Sequence, residues 1–223
     1  MPARDIRADF DRLAAFDDGG WDHNSHYHRF LLRHLPGRRD AALEVGCGTG
    51  AFARALAEHF GRVLAIDLSP EMIRLARARS RGIPNVEYRQ ADLRGASLPA
   101  ASFDCIATLA TLHHLPLHEA LETLAAALRP GGVLLVLDLF RADTLGDWAL
   151  SGAAVPANLL LNLRKHGRLR PPAALRRAWA EHARGDVYST LAEVRSLAAR
   201  LLPGAVIRRH LFWRYSLVWR KPA

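Results

Sequence analysis

Cysteine is scarce: among 223 residues only Cys47 and Cys105 carry a thiol, one in a glycine-rich run and one in an apolar stretch. No disulfide framework can staple such a chain, and a reducing compartment is expected. Long hydrophobic runs are missing as well, so no membrane span is expected. The first dozen residues alternate charge with apolar side chains where a secretory leader needs an unbroken apolar core, and the cytoplasm is the expected location. Lysine is confined to Lys165 and Lys221, so the formal charge of +9 rests almost wholly on arginine. The arginines are dispersed, apart from gatherings at 164–170 and 208–214 that read as solvated faces. No basic stripe interleaved with aromatics follows a nucleic-acid backbone. Repeats, low-complexity tracts and linkers are also lacking, which argues for one domain. Half apolar at this length, the chain can bury a full α/β core.

What is present concentrates at 43–50, LEVGCGTG. An apolar run stops at Gly46, Gly48 and Gly50 and passes directly into a helical pattern over 51–60. Glycines there allow a tight turn and bring main-chain N–H groups close to a ligand, which is expected to be held mainly by backbone. Gly46, Gly48 and Ala51 also satisfy the dinucleotide pattern G-x-G-x-x-A, so the run alone does not separate nicotinamide from other nucleotide-like cofactors. Glu44 favours a cation. A carboxylate at this strand end repels a pyrophosphate and suits an ammonium group.

Strands and helices then alternate. The run 62–68 ends in Asp67, about twenty residues after the glycines, where a carboxylate can accept both ribose hydroxyls. Ser69 as N-cap with Pro70 behind it starts a helix through residue 80. A third strand, 86–90, leads to Asp92 and Leu93, so three acids (Glu44, Asp67, Asp92) end three successive strands. The fourth strand, 103–108, runs on through Leu109 to His113 and His114. Leu117, Leu121, Leu124 and Leu128 mark one face of the next helix, which stops at 129–132 before a fifth apolar strand, 133–139, carrying Asp138. This alternation predicts a parallel sheet with right-handed crossovers.

The flanks read differently. A helix is expected over 4–16, then an aromatic and histidine-rich stretch from Trp21 in which Tyr27, Leu31 and Leu35 share a face. Trp21 and Tyr27 are placed to lie over the glycine loop. His23, His26, His28 and His34 do not match a zinc signature, and no metal is read there. Residues 141–186 suggest short helices broken at Pro156 and at Pro171-Pro172, a cover for the ligand-binding edge. Thr190 and Glu193 form a capping box for a helix that ends at Pro203-Gly204. Two final strands, 205–212 and 215–220, are expected as a hairpin turning near Trp213-Arg214. The single domain thus divides into a lid (1–37), a cofactor-binding core (38–140), a helical cover (141–186) and a C-terminal helix with hairpin (187–223).

The run at 43–50 resembles motif I of the class I S-adenosylmethionine-dependent methyltransferases. The phrase LRPGGVLLV from Leu128 resembles that family's approach to its fifth strand, and Leu112-His113-His114-Leu115 looks most like its small-molecule branch, which includes ubiquinone-pathway and natural-product enzymes. The resemblance covers roughly 40–140 by motif and reaches the hairpin by element order. It implies a Rossmann-like, seven-stranded, mostly parallel sheet with helices on both faces, a C-terminal antiparallel hairpin and a helical insertion after strand five. It implies S-adenosyl-L-methionine as cofactor and a small-molecule methyl acceptor, with O, N and S all open as the methylated atom. The residues read as touching the cofactor are Trp21, Tyr27, Glu44, Gly46, Cys47, Gly48, Gly50, Asp67, Leu68, Met72, Asp92, Leu93, Thr108 and Leu109. Asp92 is expected toward the adenine amine and the Leu93 N–H toward a ring nitrogen. On the acceptor side stand His113, His114 and Asp138, one histidine meeting Asp138 as a general base. Two alternatives remain: an RNA or tRNA methyltransferase, favoured by charge but lacking an RNA-binding module, and a non-catalytic cofactor-binding partner subunit, whose damaged loop this sequence does not have.

Overall fold

Residues 5–17, 20, 22–95 and 97–223 are described by a computed structural model; Trp21, expected over the glycine loop, lies outside the described residues. The five strands expected up to residue 139 form β1 (Ala41–Val45), β2 (Arg62–Asp67), β3 (Val86–Gln90), β4 (Phe103–Leu109) and β5 (Leu128–Leu139, which starts earlier than the expected residue 133), paired in parallel. The chain then closes the sheet with β6 (Val206–His210) and β7 (Arg214–Arg220), antiparallel to each other and to β5, in the order β3-β2-β1-β4-β5-β7-β6. Every residue of β1 and β4 is buried. Strands covered on both faces cannot alternate polar with apolar, which is why their sequences are largely apolar, interrupted by Glu44 in β1 and by Asp104 and Thr108 in β4.

Eight α-helices surround the sheet among the described residues: α1 (Ile6–Ala14), α2 (His28–Leu32), α3 (Ala51–Ala57), α4 (Pro70–Arg79), α5 (Leu117–Ala127), α6 (Leu145–His166), α7 (Ala173–Ala183) and α8 (Leu191–Leu201). On one face Leu43, Ile106 and Leu134 pack with Leu121, Leu124 and Val194 of α5 and α8. On the other, Ala65, Cys105 and Leu135 pack with Leu31, Phe52 and Leu56 of α2 and α3. Each such large side chain contributes about 1.5–3 kcal/mol on burial. The strand order reverses between β1 and β4, and the crevice beyond their carboxyl ends is where this sheet type takes its ligands.

Local chemistry sets the helix starts. Ser69 Oγ accepts from the Met72 N–H at 3.0 Å with Pro70 as first residue of α4, and Thr190 and Glu193 exchange bonds to cap α8. Two expectations need correction. Pro156 does not break the cover: α6 runs through it for 22 residues, opened by a Thr144–Asp147 capping box and ended by Gly167 at φ 67°. A helical proline removes one hydrogen bond, and here the neighbouring turns and the buried Ala154 carry the helix across. The hairpin turn also sits earlier than expected. Phe212 and Trp213 adopt φ 60° and 59°, and β7 already begins at Arg214, paired with Leu139 of β5. Burial of Phe212 to 1 % exposure against the His23 and His26 rings offsets that left-handed backbone.

Candidate active site

Beyond the ends of β1, β2 and β4 lies a cavity of about 850 Å³, floored by the glycine loop and roofed by α1, α7 and the end of α6. Gly46, Cys47, Gly48 and Thr49 border it. The N–H groups of Gly46 and Cys47 donate to the Ile66 carbonyl at 2.8 and 3.0 Å, that of Gly48 to Asp67 Oδ2 at 2.8 Å, and that of Gly50 to the Cys47 carbonyl at 2.8 Å. The expectation of a mainly backbone grip is corrected accordingly: these four donors fasten the loop to β2 and to itself. A Cβ on Gly46 would lie 2.0 Å from Thr111 Oγ1 and one on Gly50 2.4 Å from the Tyr88 hydroxyl, so those glycines admit protein neighbours behind the loop. Gly48, with nothing within 4 Å of a built Cβ, is the open part of the cradle.

The three strand-end acids all border the cavity, each in a different state. Glu44 is 2 % exposed and its Oε2 has no hydrogen-bond partner. Burial first, and then the nearby Asp67 charge, push its carboxyl well above the usual carboxylate range. A buried carboxylate oxygen left unsatisfied beside a cavity fits an incoming ammonium group. Asp67 takes the Gly48 and Ser69 N–H groups on its two oxygens, which still leaves acceptor capacity for hydroxyls. Asp92 faces Arg94, whose Nε and Nη2 engage both its oxygens, and this hydrogen bonding holds its carboxyl below the ordinary value. Leu68, Met72, Leu93 and Leu109 supply apolar wall. Cys47 also borders the cavity, with its thiol pushed well up by burial and by Glu44.

The lid is built differently from the sequence reading. Tyr27 is buried away from the cavity lining, its hydroxyl donating to the Leu211 carbonyl at 2.9 Å. Thr108 and Gly50 are likewise buried outside the lining, and Asp138 stands behind His113. The roof over the glycine loop is α1 instead, with Ile6, Phe10 and Leu13 toward the cavity. Asp11 accepts from Ser69 Oγ at 2.5 Å. Asp17 accepts from Thr49 Oγ1 at 3.0 Å and from Arg79 Nη1 at 2.7 Å, tying the lid across the loop to α4.

Of the two histidines after β4, His113 meets Asp138: Nδ1 lies 2.6 Å from Oδ1, and the His113 N–H donates to Oδ2 at 3.0 Å. A proton placed at Nδ1 toward that buried carboxylate would leave Nε2 as an acceptor facing away from it. His114 stacks beside it, ring centroids 3.9 Å apart, with Nδ1 3.5 Å from Asp186 Oδ1 and Nε2 buried without a partner. Burial above all pulls its pKa down to about 4, so this ring is neutral near pH 7. His182 of α7 lies between Asp9 of α1 (3.5 Å) and Asp186 (3.7 Å), which joins lid and cover at this corner.

Reading the sequence did not find Phe10, Trp179, His182, Asp186, Tyr188 or Arg214, all of which border the cavity. They come from four separate segments of the chain, and no single spacing links them. Arg214 stood within a cluster read as a solvated face, yet it is only 8 % exposed.

Residues 42–132 match the family model described as a methyltransferase domain. A protein named uncharacterized methyltransferase from Mycobacterium tuberculosis is 34% identical over 209 residues, covering 92% of this chain and 99% of the relative. A ubiquinone biosynthesis O-methyltransferase of Xylella fastidiosa is 34% identical over 192 residues, 79% of this chain and 77% of that one. Among solved structures, the N-methyltransferase NodS from Bradyrhizobium japonicum in complex with S-adenosyl-l-homocysteine superposes with a TM-score of 0.68 over 99% of this chain and 100% of that one. At 22% identity that last likeness is one of fold.

Proposed function

This chain belongs to the class I S-adenosylmethionine-dependent methyltransferases, and from that premise we propose that it methylates a small organic molecule at an oxygen, nitrogen or sulfur atom. The observation that carries the acceptor class is the roofed cavity. Cofactor and acceptor must share about 850 Å³ closed over by α1, α6 and α7, a space in the range of small-molecule sites rather than of a groove for a polymer. The named relative in ubiquinone biosynthesis supports the same class.

In this reading Glu44 receives the ammonium group of S-adenosylmethionine, Asp67 the ribose hydroxyls, and Asp92 with the Leu93 N–H the adenine edge. Gly48 is the point where the loop approaches the ligand most closely. The cofactor supplies an electrophilic methyl group on a sulfonium, so the protein has little covalent chemistry to perform. Its residues align the acceptor and exclude water, and alignment alone can contribute about 7–11 kcal/mol. His113 takes the acceptor's proton at Nε2 while Asp138 fixes its tautomer, help worth about a hundredfold to ten-thousandfold for an acceptor that carries a proton. His114, neutral beside it, offers its unpartnered Nε2 as an orienting contact.

The test is transfer of labelled methyl from S-adenosylmethionine into cell extract separated into RNA, protein and small molecules. Label is expected in the small-molecule fraction. Label confined to RNA or protein would overturn the acceptor class.

A further inference from the structure

We infer that the methyl acceptor is an anion, and that Arg214 is the binding site for its carboxylate or phosphate group; the inference rests on the small-molecule reading above. Arg214 borders the same cavity as His113 while being only 8 % exposed. Its guanidinium makes two hydrogen bonds, Nε to Asn24 Oδ1 at 2.9 Å and Nη1 to the Phe212 carbonyl at 2.8 Å, both to neutral oxygens. Among the described residues no carboxylate forms an ion pair with it. Arg79 and Arg129, both less buried, do have one: Arg79 with Asp17 at 2.7 Å and Arg129 with Asp104 at 3.0 Å.

A charge taken out of water without a partner is costly, and burial accordingly draws this guanidinium's pKa below its ordinary value. Asp22, Tyr27, Asp138 and Tyr188 act on it only through space. Asp138 is already engaged, accepting from His113 and from the Leu139 N–H. Asp22, the strongest of these charges, already accepts from the Ser25 N–H at 2.6 Å, and none of them lies at ion-pair distance, so the guanidinium's direct counter-ion comes from what enters the cavity. A guanidinium fork matches an oxyanion through paired N–H donors.

Position gives the anion a direction. Asp138 pairs with Tyr215 and leaves the sheet on the face opposite to Arg214, which pairs with Leu139, yet His113, which Asp138 holds, and Arg214 border the same cavity. An acceptor anchored through its anionic group at Arg214 thus has its other end near the proton-accepting ring. The strand order sets Arg214 well apart from the strand that carries Glu44, which favours an occupant other than the cofactor's own carboxylate. Glu44 on β1 is three strands from Arg214 on β7, about 14 Å at normal strand spacing, whereas the ammonium and carboxylate of an amino acid share one carbon. Arg168, just beyond α6, borders the same cavity and adds positive potential at its rim.

The test uses the full chain saturated with S-adenosylhomocysteine, so that the cofactor's carboxylate site is filled. Ligand-observed NMR then follows acetate, its neutral isostere acetamide, and inorganic phosphate. Saturable line broadening of acetate or phosphate with none for acetamide is expected, and whichever anion binds more tightly tells a carboxylate acceptor from a phosphorylated one. Arg214→Gln should weaken that binding at least tenfold and leave S-adenosylhomocysteine affinity within twofold. Should that variant not fold, Arg214→Lys, which keeps the charge and loses the fork, should weaken it at least threefold. Equal response to acetate and acetamide, no response to either anion, or undiminished anion binding in the variant would overturn the inference, and so would a tenfold loss of S-adenosylhomocysteine binding.

A second arm separates this inference from the reading beneath it. The small molecules of a cell extract are split on an anion exchanger before the labelled-methyl assay. Acceptor activity should elute with the retained anions. Activity only in the unretained fraction overturns the anionic acceptor and leaves the small-molecule reading standing, whereas label only in RNA or protein overturns that reading, with the acetate titration still deciding what Arg214 binds.

Discussion

Glu44 shows how a single residue can carry a testable charge argument. Its carboxyl lies well above the usual range because it is buried and close to Asp67, so without ligand it holds a proton under conditions where a free glutamate does not. An ammonium group beside it favours the ionised form and draws the pKa down, so binding must release a proton. S-adenosylhomocysteine affinity is expected to rise with pH across the mildly acidic range. Calorimetry in buffers of different ionisation enthalpy should detect the released proton, and Glu44→Gln should abolish the release and weaken binding about tenfold. A pH-independent affinity would remove Glu44 from the site. On the acceptor side, Asp138→Asn keeps the shape of the pair but not the charge that orients His113. Turnover of this variant and of His113→Ala is expected to fall about a hundredfold to ten-thousandfold, with cofactor affinity unchanged. Near-full turnover in both, across pH 6 to 9, would mean that alignment alone drives transfer. The sequence pointed to Glu44 and to both histidines. Which histidine meets Asp138 was settled by the short helical turn Leu112–His114.

At the scale of elements, the N-terminal lid separates pattern from placement. Ile6, Phe10 and Leu13 sit at spacings that put them on one helical face, which marks α1 as amphipathic but does not say what it covers. In the fold that face closes the cofactor crevice and packs toward Met72 and Leu175. Tyr27, for which an aromatic lid role was expected, is instead a strut between α2 and the hairpin. Removing residues 1–17 is therefore expected to leave the sheet folded by circular dichroism while weakening S-adenosylhomocysteine binding at least tenfold and abolishing transfer. Tyr27→Phe should cost about 1 kcal/mol of stability for its lost hydrogen bond and leave cofactor binding unchanged. If the truncated chain binds cofactor normally, α1 is an ordinary surface helix. The cover was misread for a related reason: Pro156 has the local character of a breaker, yet the capped start at Thr144 and the stop at Gly167 define one helix through it.

For the whole molecule, the buried histidines set the response to acid. Burial lowers the pKa of His23, His28 and His210, and takes that of His114 down to about 4. Between their ordinary value near 6.5 and these lowered ones, the unfolded chain binds protons that the folded chain refuses, so stability falls as pH falls. Each such proton is worth about 1.4 kcal/mol per pH unit. Glu44 and Asp67, whose pKa values are raised by burial, work in the opposite direction, but four histidines outnumber two acids. The thermal midpoint is expected to drop between pH 7 and pH 5, and to drop less in His114→Asn. A flat or rising profile would show that the acids dominate.

Sequence by itself determined the alternation of strands and helices, the strand-end acids, the glycine turn and the antiparallel close, because each follows from local periodicity, capping chemistry or a residue's backbone freedom. It did not determine which distant segments share the cavity. Phe10 from α1, His182 and Trp179 from α7, Asp186 and Tyr188 from the segment before α8, and Arg214 from β7 meet only when the sheet order brings β7 beside β5 and the cover folds back over the crevice. Nor did it distinguish Arg214 from its exposed neighbours Arg208 and Arg209. Burial belongs to the packed molecule, and the two left-handed residues at 212–213 start β7 at Arg214 and bring its side chain to the cavity.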